Sequence, residues 1–329
     1  MRDRPATNKR VTIRDVAKSA GVSYQTVSRA LNDKGEIDGT TKQRVLDAAR
    51  ELGYRPSRFA RGLVRQDSTS IGLVIPDLMN PFFTEVASAA LVAARRRDWH
   101  VVVYDTADDP AQEQRTLAVI GSQVDAIVGY LSLPDDVIDR HTTGLPVVHI
   151  GRSTSGAHTT AIHVDGEEGI HAAVAHFART GRHRIGMLDH EDRHGPSLRR
   201  TWFQNAMTNH DLKGTVVAAG QSIDGGQRAM VTILDTQPKL DALLTYNDVI
   251  AIGAMRTARH LGRRIPEDLA VIGFDGLHIG TMVEPPLSSV WIDTQKLGTT
   301  AIDQVEHLLA GEDPEPVTIR ASLLLRGSA

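Results

Sequence analysis

Residues 11–32 read VTIRDVAKSAGVSYQTVSRALN, a pattern that admits little besides two short helices broken at Gly21. Ile13, Val16, Ala17 and Ala20 recur at helical spacing, so one stripe of the first helix is expected to be buried. Thr12 followed three residues later by Asp15 resembles a capping box that would start this helix. Gly21 permits a sharp reversal, Val22 drops into the core, and Ser23 is placed to cap the next helix. That second helix buries Val27, Ala30 and Leu31 and turns Tyr24, Gln25, Thr26, Ser28 and Arg29 outward. A short Gly-containing turn between two helices, the second offering a phenol, an amide and a guanidinium near its start, predicts a helix-turn-helix. Gln and Arg carry donors that match base edges in the major groove, whereas Ser and Thr suit phosphates. The same geometry also arises as plain packing in α-helical proteins, so these residues alone leave the reading open.

Charge distribution favours the nucleic-acid reading. The 329-residue chain has a formal net charge of −3, but residues 1–66 carry 15 Lys and Arg against 7 Asp and Glu, and the remainder carries 22 against 33. A basic head on an acidic body confines attraction for a polyanion to one end. There is no cysteine, hence no disulfide framework and no thiolate metal site. The first residues, MRDRPATNKR, lack the apolar stretch of a signal peptide, and no run approaches the roughly 18 apolar residues of a membrane span, so a cytoplasmic protein without a membrane partner is expected.

Beyond Gln66 the pattern changes to alternation. Apolar, strand-like runs fall at 71–75, 101–104, 126–130, 147–150, 162–164, 185–188, 216–218, 242–244 and 269–272, with a last segment near 317–319. Amphipathic helical stretches separate most of them, at 82–97, 111–122, 167–180, 197–209, 227–234, 249–261 and 294–309. Such alternation implies βαβ units and parallel sheets. Nine strands over some 250 residues divide better into two α/β lobes than into one sheet, with a ligand site in the cleft beyond the carboxyl ends of the strands.

The sequence also resembles a known family over essentially its whole length. SYQTVSRALN is similar to the recognition helix of the lac repressor/galactose repressor family, and YQTVSR is its lac-type form. The match runs on through the amphipathic stretch TKQRVLDAARELGY at 40–54, with Val45, Leu46, Ala49 and Leu52 on one face, and through RPSRFARGL at 55–63. In the body, DLMNPFF (77–83), Arg199, YND (246–248), VIGFD (271–275) and PPLSSV (285–290) follow in the family's order. The resemblance implies an all-α helix-turn-helix head (1–56), a hinge helix or linker (57–68), and an effector-binding and dimerisation body (69–329) resembling periplasmic sugar-binding proteins. It implies a homodimeric regulator, most naturally a repressor, with a palindromic double-stranded operator and a sugar-like effector in the inter-lobe cleft. No cofactor, metal or catalytic residue is expected.

Residue by residue, the resemblance places Tyr24, Gln25 and Arg29 on bases. Thr12, Ser23, Thr26, Ser28, Asn32 and Tyr54 join the expected DNA contacts. In the hinge, Ser57, Arg58, Ala60, Arg61 and Leu63 are the expected contacts, with Leu63 wedging into the central minor-groove step. Pro56 suits a helix start, but Gly62 costs about 1 kcal/mol relative to Ala, so this short helix is marginal without DNA; a flexible linker is the plainer alternative. Arg199, Asn247, Asp248 and Asp275 are the leading effector contacts, since carboxylates, amides and an Arg fork bind vicinal hydroxyls. Asp248 could instead simply cap the helix beginning near Val249. Asn80, Phe82, Asp105 and Arg152 follow strands of the first lobe and form a second tier. Where relatives carry an aromatic ring, this chain has Gln221-Ser222-Ile223, and Trp291 offers a stacking surface instead; Trp202 stands where glycine is usual.

HEDRH at 190–194 fits the HExxH zinc pattern, but it follows a strand and runs into Gly195-Pro196, a loop rather than the helix that zinc ligation needs. A transport-type sugar-binding protein would have a signal peptide and no basic head, and an enzyme would have a catalytic constellation; neither feature is present in the sequence.

Overall fold

A computed structural model describes residues 13–31, 37–51, 69–142, 144–154, 156, 158–190 and 195–329. The chain divides into two compact units, Met1–Ser68 and Thr69–Ala329.

In the first unit, helices α1 (Ile13–Ala20), α2 (Tyr24–Leu31) and α3 (Gly39–Glu51) enclose a small core of Val16, Ala17, Ala20, Val27, Ala30, Val45, Ala48 and Ala49. Gly21 turns the chain at φ +65°, a conformation that costs an L side chain energy but not glycine. Val22 then packs against the core, and its N–H donates to the Ala17 carbonyl at 3.0 Å. The Ser23 hydroxyl oxygen accepts from the Thr26 N–H at 3.1 Å, as the sequence leads one to expect of an N-cap. On α3 the face is Val45, Ala48 and Ala49; Leu46 is only half-buried, and Leu52 lies outside the described residues.

The second unit holds two six-stranded sheets. The first combines β1 (Ser70–Ile75), β2 (His100–Asp105), β3 (Ala126–Gly129), β4 (Val147–Ile150), β5 (Thr159–Asp165) and β11 (Val317–Arg320) in the order β11-β5-β4-β3-β1-β2, all parallel. The second combines β6 (Ile185–Asp189), β7 (Thr215–Ala218), β8 (Ala242–Thr245), β9 (Ala270–Asp275), β10 (Ser288–Trp291) and β12 (Ser322–Leu324) in the order β12-β10-β9-β8-β6-β7, parallel except for β12. The inner strands β1, β3, β4, β6, β8 and β9 are buried on both faces, and so read as continuous apolar runs, whereas the edge strands β2, β7, β11 and β12 are partly exposed.

Helices α4 (Pro81–Arg95), α5 (Pro110–Ile120), α6 (Asp135–His141) and α11 (Thr294–Leu309) belong to the first lobe. Helices α7 (Glu167–Arg179), α8 (Leu198–Asn209), α9 (Ile223–Thr236) and α10 (Asp248–His260) belong to the second. The chain therefore crosses between lobes three times: after β5, after β10 and between β11 and β12. The crossings are hydrogen-bonded to their neighbours, Ala321 N–H to the Asp165 carbonyl at 2.7 Å and Ile292 N–H to that of Asp275 at 3.1 Å. Glu85 of α4 adds a side-chain tie, accepting from the His278 N–H of the second lobe at 3.1 Å and from the Thr294 hydroxyl at 3.2 Å.

The sequence-based alternation thus holds, with three additions: β10, β12 and α6. β10 opens on two buried serines, Ser288 and Ser289, and β12 is three residues long, so neither shows an apolar run.

Candidate functional site

The outward face of α2 is the first site. Tyr24 is 57% exposed, and Gln25 and Arg29 are exposed beside it. Ser23 and Thr26 place their hydroxyl oxygens 2.9 Å apart at the helix start, where unpaired N–H groups and the helix dipole favour an anion. Thr12, Asn32, Tyr54, Ser57, Arg58, Ala60, Arg61 and Leu63 lie outside the described residues, as do the side chain of Ser28 and the hinge segment 57–68.

The second site is a cavity of about 350 Å³ between the lobes, within the range of small-ligand pockets. Its wall in the first lobe comes from Pro76 and Asp77 after β1, Thr106 and Asp108 after β2, Tyr130–Ser132 after β3, and Gly151 and Arg152 after β4. The second lobe contributes His190 after β6, Gln221 after β7 and Tyr246 after β8. Each sheet changes winding direction here, between β1 and β3 and between β6 and β8, which leaves a crevice at the strands' carboxyl ends.

Arg199, in the first turn of α8, organises the second-lobe wall. Its guanidinium is sandwiched between aromatic faces, with its carbon 4.2 Å from the Tyr246 ring centroid and 3.8 Å from that of Phe274. It donates to the Tyr246 carbonyl and, at 3.4 Å, to the Asp275 carboxylate. Asp275 ends β9 at φ +104°, a strained conformation for a residue with a side chain. Burial pushes the Asp275 carboxyl up to about 7, opposed by Arg199 and reinforced by Glu85.

Two rings stand in the first-lobe wall edge to face, Phe83 and Tyr130 with centroids 5.0 Å apart, backed by the buried Phe82, 5.4 Å from Phe83. The Tyr130 hydroxyl is buried and has no hydrogen-bond partner among the described residues. Burial raises its pKa well above the usual phenol value, helped by the negative charge of Asp275 and opposed by Arg199, so it stays a neutral donor. Glu113 of α5 is buried and accepts from the Ser132 N–H and O–H and the Leu133 N–H, which pins the loop after β3. Arg152 is ion-paired with Asp135. Nearby, burial and Arg152 push His149 down to about 4, with Asp135 opposing, so it is neutral near pH 7.

Among the expected effector residues, Arg152 lines the cavity, while Arg199 and Asp275 do not line it but are joined to its wall through Tyr246, on which Arg199 stacks. The others require correction. Asp248 is fully buried, and its oxygens are taken by the Ser289 hydroxyl at 2.6 Å and the Leu277 N–H at 2.7 Å. Asn247, also buried, is the cap of α10, accepting from the Ile250 N–H at 2.9 Å. Asn80 caps α4 through the Phe82 N–H, and Phe82 packs into the core. Asp105 accepts from the Leu78 and Ala107 N–H groups and so shapes the loops around it. Trp291 does not line the cavity; it packs beside Gly276 at the end of β10. Its place as a ring in the cleft is filled by Phe83, Tyr130 and Tyr246. Sequence reasoning did not single out Tyr130, Tyr246 or Glu113. The usable signal was position, since both tyrosines directly follow the carboxyl ends of strands.

Of the HExxH-like stretch, Glu191–His194 lie outside the described residues, and His190 lies 5.4 Å from the Tyr246 ring, centroid to centroid. Among the described residues no cluster of His, Cys, Asp and Glu could hold a metal ion, and no helix is long and apolar enough to cross a membrane.

A helix-turn-helix unit followed in one chain by a two-lobed body with a cleft at its strand ends defines a transcriptional regulator with a periplasmic-binding-protein-like sensing domain. Residues 12–57 match the lacI family of bacterial regulatory proteins, and residues 174–329 match the periplasmic binding protein-like domain. The ribose operon repressor of Halalkalibacterium halodurans is 34% identical over 312 residues, covering 90% of each chain. A LacI family regulator from Arthrobacter sp. FB24, solved in complex with lactose, is 30% identical with a TM-score of 0.73, over 79% of this chain and 99% of that one. The lac repressor dimer bound to operator and the anti-inducer ONPF is 25% identical, with a TM-score of 0.72 over 97% and 99% of the two chains. The chain belongs to the lacI family of transcriptional regulators, a family of DNA-binding proteins and not of enzymes.

Proposed function

We propose that this protein is a cytoplasmic, homodimeric repressor that binds a palindromic operator and is controlled by a small sugar-like effector in the inter-lobe cleft. The observation that carries the DNA half is the exposed edge of α2, where Tyr24 and Gln25 at the N-terminal end and Arg29 in the last turn of a packed recognition helix stand clear of the core. In this reading they contact base edges of each half-site, while Ser23, Thr26, Ser28, Asn32 and the basic flank contact phosphate. Thr12 and Tyr54 add contacts from the head, and the hinge supplies Ser57, Arg58, Ala60, Arg61 and Leu63. A two-fold dimer matches the symmetry of a palindromic site. Arg152, Arg199 and Asp275 serve the effector, whose influence on operator binding equals its preference for one lobe arrangement over the other.

The test is operator selection from randomised DNA, followed by gel-shift titration of wild type and Gln25→Ala. The selected site should be a palindrome. The variant should lose about 1–3 kcal/mol of discrimination at one base pair in each half-site while keeping its non-specific affinity. A selected site without two-fold symmetry, or discrimination unchanged by Gln25→Ala, overturns the assignment.

A further inference from the structure

The charge and hydrogen-bonding inventory of the cleft defines its ligand more narrowly than its shape does. Resting on the reading of this cleft as the effector site, we infer that it takes an uncharged, hydroxyl-bearing ligand, rejects phosphorylated and carboxylated ones, and uses the Tyr130 hydroxyl to select a ligand hydroxyl.

Among the described lining residues there are three carboxylates, Asp77, Asp108 and Glu113, against one guanidinium, that of Arg152. Among the described residues, both cations near the ligand space have their charge offset. Arg152 is ion-paired with Asp135 through one terminal nitrogen, its buried Nε remaining an unpartnered donor, and Arg199 is bound to Asp275 and the Tyr246 carbonyl while sandwiched between two rings. A phosphate or carboxylate would therefore enter a field of its own sign, in a partly desolvated space where such repulsion is poorly screened. The acidic groups do not oppose a neutral polyol, and Asp77, one oxygen of which accepts from the Met79 N–H, can accept from its hydroxyls through the other.

Tyr130 supplies the selective group. Its ring is held by Phe82 and Phe83, so the hydroxyl has a fixed position. It lies on the first-lobe wall, close enough to Arg199 and Asp275 of the second lobe for both charges to act on it. Among the described residues it has no partner. A buried hydroxyl without a partner is costly, and a site built around one favours a ligand that completes the bond over an analogue that cannot. A ligand hydroxyl at this point would join a group of one lobe to the facing wall of the other.

The experiment uses the full-length protein and matched pairs of compounds: ribose and ribose 5-phosphate, glucose and glucose 6-phosphate, galactose and galacturonate, adenosine and AMP, with lactose and cellobiose as further neutral probes. Thermal shift followed by calorimetric titration should find binding among the neutral members, at least tenfold tighter than to the acidic counterpart. An acidic member binding as tightly as its neutral partner overturns the charge inference. With the best neutral binder, Tyr130→Phe should weaken affinity about three- to tenfold, as expected for one neutral hydrogen bond. The unliganded melting temperature should hold or rise, since an unsatisfied hydroxyl is removed. The loss should vanish for a deoxy analogue lacking the contacted hydroxyl. Equal weakening of every deoxy analogue, or no weakening of the parent, overturns the role of Tyr130. Silence of all compounds while specific operator binding persists overturns the sugar-effector reading beneath the inference, an outcome distinct from either of the others.

Discussion

Asp248 and Asp275 are buried in one lobe, and among the described residues only Arg199 offers Asp275 a counter-charge within ion-pair distance. Burial, with Asp275 adding to it, pushes Asp248 up to about 8 despite its bonds from Ser289 and Leu277. In the unfolded chain both carboxyls ionise near pH 4. The folded state therefore holds more protons from about pH 4 up to 7 or 8, and its stability falls as pH rises through that interval. His149 acts in the opposite sense: its folded value of about 4 lies below its unfolded one, so its contribution is lost as pH falls below about 6.5. Between pH 7 and 8 the carboxyls dominate this balance. Thermal unfolding should show a lower melting temperature at pH 8 than at pH 7, and Asp248→Asn should reduce that difference. An undiminished difference in the variant would place the effect elsewhere. The Asn oxygen and amide can still accept from Leu277 and donate to Ser289. The sequence could not reveal this environment. It shows Asp248 beside a helix cap, but Ser289, which binds it, comes 41 residues later from a strand that carries no apolar signature. Arg199 and Asp275 were legible because they lie in motifs of the resembled family. Tyr130 was hidden as the last residue of an apolar run, where a ring reads as core.

Helices α9 and α10 show how an element can contradict its own propensities for the sake of packing. Gly225, Gly226 and Gly253 each weaken their helix by roughly 1 kcal/mol relative to Ala. Gly226 and Gly253 are needed because the helices cross backbone to backbone: a Cβ on Gly226 would overlap the Ile250 carbonyl, and one on Gly253 the Ile223 carbonyl, while one on Gly225 would overlap the Gly220 carbonyl of the preceding loop. Gly253→Ala should therefore destabilise the body by about 1–3 kcal/mol, in spite of the better helix former, by forcing the pair apart. Urea unfolding of the full chain would measure it, and a stabilised variant would contradict the crossing. This pairing explains why 227–234 was too short a reading for α9. The glycines that break its apolar periodicity are part of its buried face. Helices and strands with clear periods were legible; β10, β12 and α6, which owe their conformation to neighbours distant in sequence, were not.

At the scale of the whole molecule, the formal charge of −3 misleads, because a chain of uniform charge would be repelled by DNA. Residues 1–66 carry a net +8 and the remainder −11, so the two binding activities operate in fields of opposite sign. Operator binding draws on release of counterions from the phosphates that the head neutralises, and its affinity should fall steeply with salt. For six to ten phosphate contacts per dimer, the loss between 50 and 200 mM monovalent salt is on the order of 10³–10⁵-fold. An uncharged ligand in the cleft releases no counterions, and its affinity should change by less than about twofold over the same range. Titrating one preparation with labelled operator and, separately, with the ligand that binds best across that range compares the two directly. Ligand affinity that rises with salt would show an anion freed from the repulsion of Asp77, Asp108 and Glu113. Ligand affinity that falls with salt would show a cation drawn to them. Operator affinity that does not respond to salt would remove the electrostatic role of the head, leaving α2 to bind DNA by base contacts alone.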